Sequence, residues 1–220
     1  MKTRILFAKT GRAKYLSHLD LMRTLERAFY RTGVKIRHTE GFNPHAYLSI
    51  ALPLSVGMES NCELLDFALV DPVALDTLPG LLNAQLPDGI RAVEAYVSDR
   101  KIKELTWLRL SGVLHYDDAA DTTAIASDLG AFFAAESISV EKLTKKKERT
   151  TVDIAPMIRE IAFFPEDRRV TLGAVVAAQN PALNPNLLIH ALTQNSSLLA
   201  PDFSAFLRED VLDGTGKSFR

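Results

Sequence analysis

The chain has one cysteine, Cys62, among its 220 residues. A single thiol cannot build an internal disulfide framework, a cysteine-based zinc site or the ligand set of an iron–sulfur cluster. Long apolar runs are missing too. No stretch approaches the roughly 18–20 residues needed to cross a bilayer. The basic start, Met1-Lys2-Thr3-Arg4-Ile5-Leu6-Phe7-Ala8-Lys9, has an apolar part too short for a signal-peptide core. These absences lead to the expectation of a cytoplasmic protein with no membrane association. The G-x-x-x-x-G-K-[ST] spacing of a P-loop is absent as well.

Acidic residues are scarce in one place only. The first 47 residues hold ten of the 26 Lys and Arg but only Asp20, Glu26 and Glu40 as acids, a local charge of +7 against a formal net charge of −1 for the chain. Charge gathered this way within a folded region points to an anionic partner on one side of the molecule. The overall composition, 47% hydrophobic and 24% charged, is that of an ordinary globular protein, and the length allows one large domain or two small ones.

The order of elements predicts two similar halves. Arg4–Ala8 reads as a strand broken at Lys9-Thr10-Gly11-Arg12. A helix follows, with Ser17 as N-cap, Asp20 in its first turn and Gly33 as its stop. Leu21, Met22, Leu25, Ala28 and Phe29 recur at helical spacing and should face a core. Strands are expected at Tyr47–Leu54, Glu63–Val70 and Ile90–Val97, with a helix over Ala74–Leu86. A polar linker, Ser98–Lys103, precedes a second cycle: a strand over Leu105–Tyr116, a helix over Asp121–Ala135, an extended Ser137–Leu143, a hairpin of Ile158–Phe164 with Val170–Ala178, a helix over Asn184–Thr193 and a strand at Phe203–Val211. The fold expected is α+β: two tandem ferredoxin-like (βαββαβ) domains with antiparallel sheets, spanning 1–98 and 104–220.

The candidate site lies in the first half. Arg23, Arg27 and Arg31 stand at i, i+4 and i+8 and form one ridge on the first helix, with Tyr30 beside it. Lys9, Arg12 and Lys14 precede the helix, and Lys35 and Arg37 follow it. Lys9-Thr10-Gly11-Arg12 reads either as a phosphate-cradling turn or as a plain tight turn. Gly41-Phe42-Asn43-Pro44-His45 should present His45 at the mouth of a strand, because Pro44 holds Asn43 extended. Phe42 reads first as a core plug, and otherwise as a surface on which a base stacks. His18 and Asp20 could supply metal ligands, but capping alone accounts for Asp20 and no metal is assigned. A second basic cluster, Lys145-Lys146-Lys147-Glu148-Arg149, is expected at a hairpin tip.

The motifs Lys9-Thr10-Gly11-Arg12, Tyr15-Leu16-Ser17-His18-Leu19-Asp20-Leu21, Gly41-Phe42-Asn43-Pro44-His45 and Leu52-Pro53-Leu54-Ser55-Val56-Gly57-Met58-Glu59-Ser60 resemble the radical-SAM-linked family, a bacterial domain of unknown function. That resemblance implies association with a radical SAM enzyme encoded beside this chain or fused to it. With one cysteine, this chain would hold no cofactor of its own. The function expected is an RNA-binding accessory protein without catalytic activity, using Lys9, Arg12, Lys14, Arg23, Arg27 and Arg31 for phosphates and Phe42, Asn43 and His45 for a base. The alternative is a metal-independent endoribonuclease like the CRISPR-RNA-processing enzymes, with His18 or His45 as general acid or base. A small anionic metabolite is a third candidate ligand.

Overall fold

A computed structural model describes residues 2–117, 121–143 and 149–220, and it is a mixed α+β protein built on antiparallel strands. The chain divides into two compact units at Glu104 and Leu105.

The first unit runs β1 (Lys2–Lys9), α1 (His18–Thr32), β2 (Leu48–Ile50), β3 (Glu59–Phe67), α2 (Leu78–Asn83) and β4 (Ile90–Ser98). Its strands are ordered β4-β1-β3-β2, all neighbours antiparallel. Ile5 and Phe7 of β1 point to the same side as Leu65 and Phe67 of β3. Leu21, Leu25, Ala28 and Phe29 of α1 pack there together with Leu78 and Leu82 of α2. The Phe29 and Phe67 rings lie 5.1 Å apart. Met22, expected in this core, is half-buried at its margin. Asn83 ends α2 by turning its amide onto the backbone of Ala92, donating to the carbonyl at 2.9 Å and accepting from the N–H at 2.8 Å.

Several boundaries differ from expectation, each for a local reason. β2 is three residues long, with one further bond from the Ala51 N–H to the Leu64 carbonyl at 2.9 Å, and Pro53, lacking an N–H, cannot extend the ladder to Leu54. β3 starts four residues early, at Glu59: its polar opening gives no apolar signal, yet Ser60 is buried and pairs with Lys9. α2 begins four residues late, at Leu78, with Pro79 in its first turn. Ser98, read as linker, is a buried end of β4 that accepts a hydrogen bond from Arg4.

The second unit runs β5 (Leu105–His115), α3 (Thr122–Phe133), β6 (Ser139–Leu143), β7 (Arg149–Asp153), β8 (Ile158–Glu166), β9 (Arg169–Ala177), α4 (Asn186–Asn195) and β10 (Phe203–Asp213). Its main sheet is ordered β10-β5-β9-β8, while β6 and β7 pair only with each other. Alternation on β5 and β9 buries Leu108, Leu110 and Leu114 with Val170, Leu172, Ala174 and Val176. Gly112 leaves room for the Phe206 ring, which a side chain there would meet at 2.9 Å. β7 has no counterpart among the expected strands, since Arg149-Thr150-Thr151-Val152-Asp153 offers almost no apolar alternation. Of the second basic cluster, residues 145–148 lie outside the described residues. Among the described residues no helix is long and apolar enough to cross a membrane.

Candidate nucleic-acid interface

α1 shows how the sequence presents the arginines. The Ser17 hydroxyl accepts from the Asp20 N–H at 3.2 Å and donates to the Asp20 carboxylate at 2.7 Å, closing the first turn. Gly33 ends the helix in the left-handed conformation at φ 78°. With the apolar stripe against the sheet, Leu19, Arg23, Glu26, Arg27, Tyr30 and Arg31 are left exposed. Arg23 lies 3.6 Å from Asp20, an exposed pair of little energetic weight. Arg27 and Arg31 have no acidic partner among the described residues. Successive arginines are one helical turn apart, a rise of about 6 Å, close to the repeat of phosphates along a strand.

The residues before α1 divide. Gly11–Tyr15 is a turn of 3₁₀ helix, not an open cradle, and Gly11 takes φ 56° at its start. This helix is fixed by the Thr10 N–H, which donates to the Gly89 carbonyl at 2.7 Å; a side chain at Gly89 would strike the Thr10 carbonyl. Arg12 is exposed. Lys14 is half-buried and ion-paired with Glu59 at 3.1 Å. Lys9 corrects the sequence reading: it is buried, and its ammonium donates to the carbonyls of Lys14 at 3.2 Å and Leu16 at 3.0 Å. Burial lowers its pKa, and the nearby charge of Glu63 only partly opposes this. Lys9 therefore fastens the 3₁₀ turn to β1 and does not reach a surface ligand.

After α1 the chain passes along the end of β3. The Arg37 N–H donates to the Ala68 carbonyl at 2.8 Å and the Val70 N–H to the Lys35 carbonyl at 3.0 Å. It then doubles back: the Thr39 N–H reaches the His45 carbonyl at 2.9 Å, and the Tyr47 N–H reaches the Arg37 carbonyl at 2.8 Å. Residues 40–44 form the exposed tip of this irregular hairpin, with Gly41 at φ 127°. Phe42 is not a core plug. Its relative exposure is 112%, that of a ring with nothing packed on it. His45 has a local duty, its Nδ1 lying 3.1 Å from Thr39 Oγ1 and 3.3 Å from the Asn43 carbonyl. Asn43 is exposed beside it, and His18 is exposed at the first position of α1. Among the described residues no three His, Cys, Asp or Glu side chains gather as a metal site.

Residues 2–185 match the family described as an uncharacterized protein conserved in bacteria, DUF2344. The chain belongs to that family. No curated protein matches it. Among solved structures, a chain of a Cbf5-Nop10-Gar1 complex aligns with 95% of this DUF2344 chain and 48% of its own length, at 10% identity and a TM-score of 0.54. The likeness is one of fold, and the DUF2344 chain spans about half the length of that neighbour. A second, an unknown protein from Galdieria sulphuraria, aligns over 96% of this chain and 97% of its own at 12% identity, with a TM-score of 0.25 that supports no argument.

One feature of the DUF2344 chain escaped the sequence reading. A cavity of about 450 Å³ opens where α1 ends, floored by Phe29, Val34, Ile36 and Ala46 and rimmed by Glu26, Tyr30, Lys35, His38 and the exposed Val70. Its residues come from α1, the connector and the end of β3. Only the backbone pairing of His38 with Ala46 and of Ile36 with Leu69 brings them together. The sequence held no local signal for that pairing.

Proposed function

We propose that this protein is a cytoplasmic RNA-binding accessory protein, made of two tandem ferredoxin-like domains, that presents RNA or a ribonucleoprotein to a partner radical SAM enzyme. The strand orders β4-β1-β3-β2 and β10-β5-β9-β8 support the domain reading, with β6 and β7 as an inserted hairpin in the second. The observation that carries the RNA reading is the exposed face of α1, where Arg27 and Arg31 stand without acidic partners among the described residues, in line with Arg23. Arg23, Arg27, Arg31 and Arg12 contact phosphates, and the bare ring of Phe42 stacks on a base with Asn43 and His45 at its edge. The radical SAM partner rests on the motifs between Lys9 and Ser60. One buried cysteine leaves cluster chemistry to that partner.

Recovery of the full chain from cells after crosslinking should bring RNA with it. On the recovered RNA, changing Arg23, Arg27 and Arg31 together to Ala should flatten the slope of log affinity against log salt by about two, three single-strand phosphate contacts' worth. A variant that binds with the wild-type slope would leave α1 as an ordinary solvated face and remove the reading's main support.

A further inference from the structure

The cavity at the end of α1 has no part in the phosphate and Phe42 contacts described above. On the reading that the protein binds RNA, we propose that this groove takes one unpaired base of the strand, and that the base is guanine.

Its volume of about 450 Å³ falls within the few hundred to about a thousand Å³ of small-ligand sites, and suits a base with its ribose. The floor of Phe29, Val34, Ile36 and Ala46 is apolar, as a flat π-face requires, and Val70 and the Tyr30 ring stand exposed at the rim, Tyr30 at 87%. The rim carries one carboxylate, Glu26, beside the Lys35 ammonium, the His38 imidazole and the Tyr30 phenol. Lys35 makes only an exposed pair with Asp71 at 3.7 Å, as weak as that between Arg23 and Asp20. His38 Nδ1 lies 3.1 Å from the Ile36 carbonyl, an acceptor, so Nδ1 carries a proton and Nε2 is the ring nitrogen left to the groove. Glu26 has no ion-pair partner among the described residues, although Arg27 adjoins it and Arg23 stands three residues before it.

An unpaired carboxylate beside phosphate contacts weakens non-specific binding of a polyanion. Its position is explained if it accepts hydrogen bonds from the base itself. Two carboxylate oxygens match two donors side by side, as in the forked pairs that carboxylates make with arginine. Guanine offers this on its Watson–Crick edge, through N1–H and the 2-amino group. Adenine and cytosine each set one amino donor beside a ring nitrogen that repels a carboxylate, and uracil flanks its single N–H with two carbonyls. The ridge of Arg23 and Arg27 on the same helix supplies the complementary charge for the flanking phosphates.

The test uses the full chain and fluorescence anisotropy with labelled uridine octamers carrying one central guanosine, adenosine or inosine. The guanosine octamer should bind roughly tenfold or more tightly than the adenosine one, with inosine, which lacks the 2-amino group, between them. Glu26→Gln, an exposed substitution that leaves the core alone, should abolish the guanine preference and shift it toward adenine, because an amide pairs with adenine's donor and acceptor. Equal binding of the three octamers, or a guanine preference that Glu26→Gln leaves intact, overturns the groove assignment while the RNA reading stands. No binding to any octamer also overturns the assignment, and the crosslinked RNA then decides the wider reading by itself.

Discussion

β1 and α1 follow one another in the chain and both carry cations, yet the two elements treat them in opposite ways. On β1, Arg4 is buried against Asp66, its register partner on β3, with contacts of 2.6 and 3.2 Å and further hydrogen bonds to Ser98 Oγ at 3.1 Å and the Arg100 carbonyl at 3.3 Å. Burial by itself would lower the Arg4 pKa, but the hydrogen bonds and charge of Asp66, joined by Tyr96, more than reverse this and the net direction is upward. Lys9, at the other end of β1, is buried on backbone carbonyls. On α1, by contrast, Arg23, Arg27 and Arg31 are in solvent, with one weak pair among them. The contrast teaches that an excess of positive charge is not one property. Part of it is internal wiring, and only the remainder is available to a ligand.

The comparison is tested hardest by Asp66→Ala. It would strand the Arg4 guanidinium in a buried position, and breaking one side of a buried pair costs about 3–5 kcal/mol. Denaturant unfolding should show that loss. Replacing both partners together, Arg4→Met with Asp66→Leu, should recover most of it. A loss from Asp66→Ala within the range of surface substitutions would mean that Arg4 escapes to water, and that β1 and α1 hold their cations alike.

Lys9→Met gives the next largest effect. The Lys14 and Leu16 carbonyls would lose a donor, for about 1–3 kcal/mol. The pH dependence sharpens this. The Lys9 pKa is lowered in the folded protein, so the unfolded chain binds this proton more tightly. Wild-type stability therefore gains from this group as pH rises from the folded value toward 10.5, the unperturbed one. The variant lacks that gain, while the half-buried Tyr96 and the buried Tyr116, whose phenols burial holds above their usual range, contribute to both proteins and cancel. The stability gap between wild type and Lys9→Met should thus widen with pH. A gap that is flat between neutral and pH 10 would place the Lys9 ammonium in water.

These differences set the limit of what was legible in the sequence. Local rules worked where the signal was local: the Ser17 cap, the Gly33 stop, the stripe of Leu21, Leu25, Ala28 and Phe29, and the alternation of β5 and β9. They failed where the partner was remote. Nothing near Lys9 announces that its ammonium will meet the carbonyls of a 3₁₀ turn, and nothing near Arg4 names Asp66, sixty-two residues away. Phe42 failed in the other direction. Its hydrophobicity suggested burial, but the hairpin tip between Gly41 and Pro44 holds it off any core. Polar strands such as β7 and the start of β3 carry no periodic apolar pattern, so only their pairing reveals them. The charge asymmetry itself was legible at once. Its division into wiring and surface needed the fold.

The smallest effect on stability belongs to the α1 arginines, and here smallness is the point. Arg23→Ala, Arg27→Ala and Arg31→Ala remove exposed side chains whose one ion pair, at 3.6 Å to Asp20, lies in solvent. Each should change unfolding free energy by no more than about 0.5 kcal/mol. Alanine also raises helix propensity slightly over arginine, which offsets part of any loss. Removing three like charges from one helix face relieves repulsion between i,i+4 neighbours as well, which favours the folded state at low salt. Unfolding curves at low and high salt would show this as a near-coincidence of variant and wild type, with any gain from lost repulsion fading as salt is added. If instead the triple variant unfolded at markedly lower denaturant, the arginines would be structural like Arg4, and the division between β1 and α1 would fail.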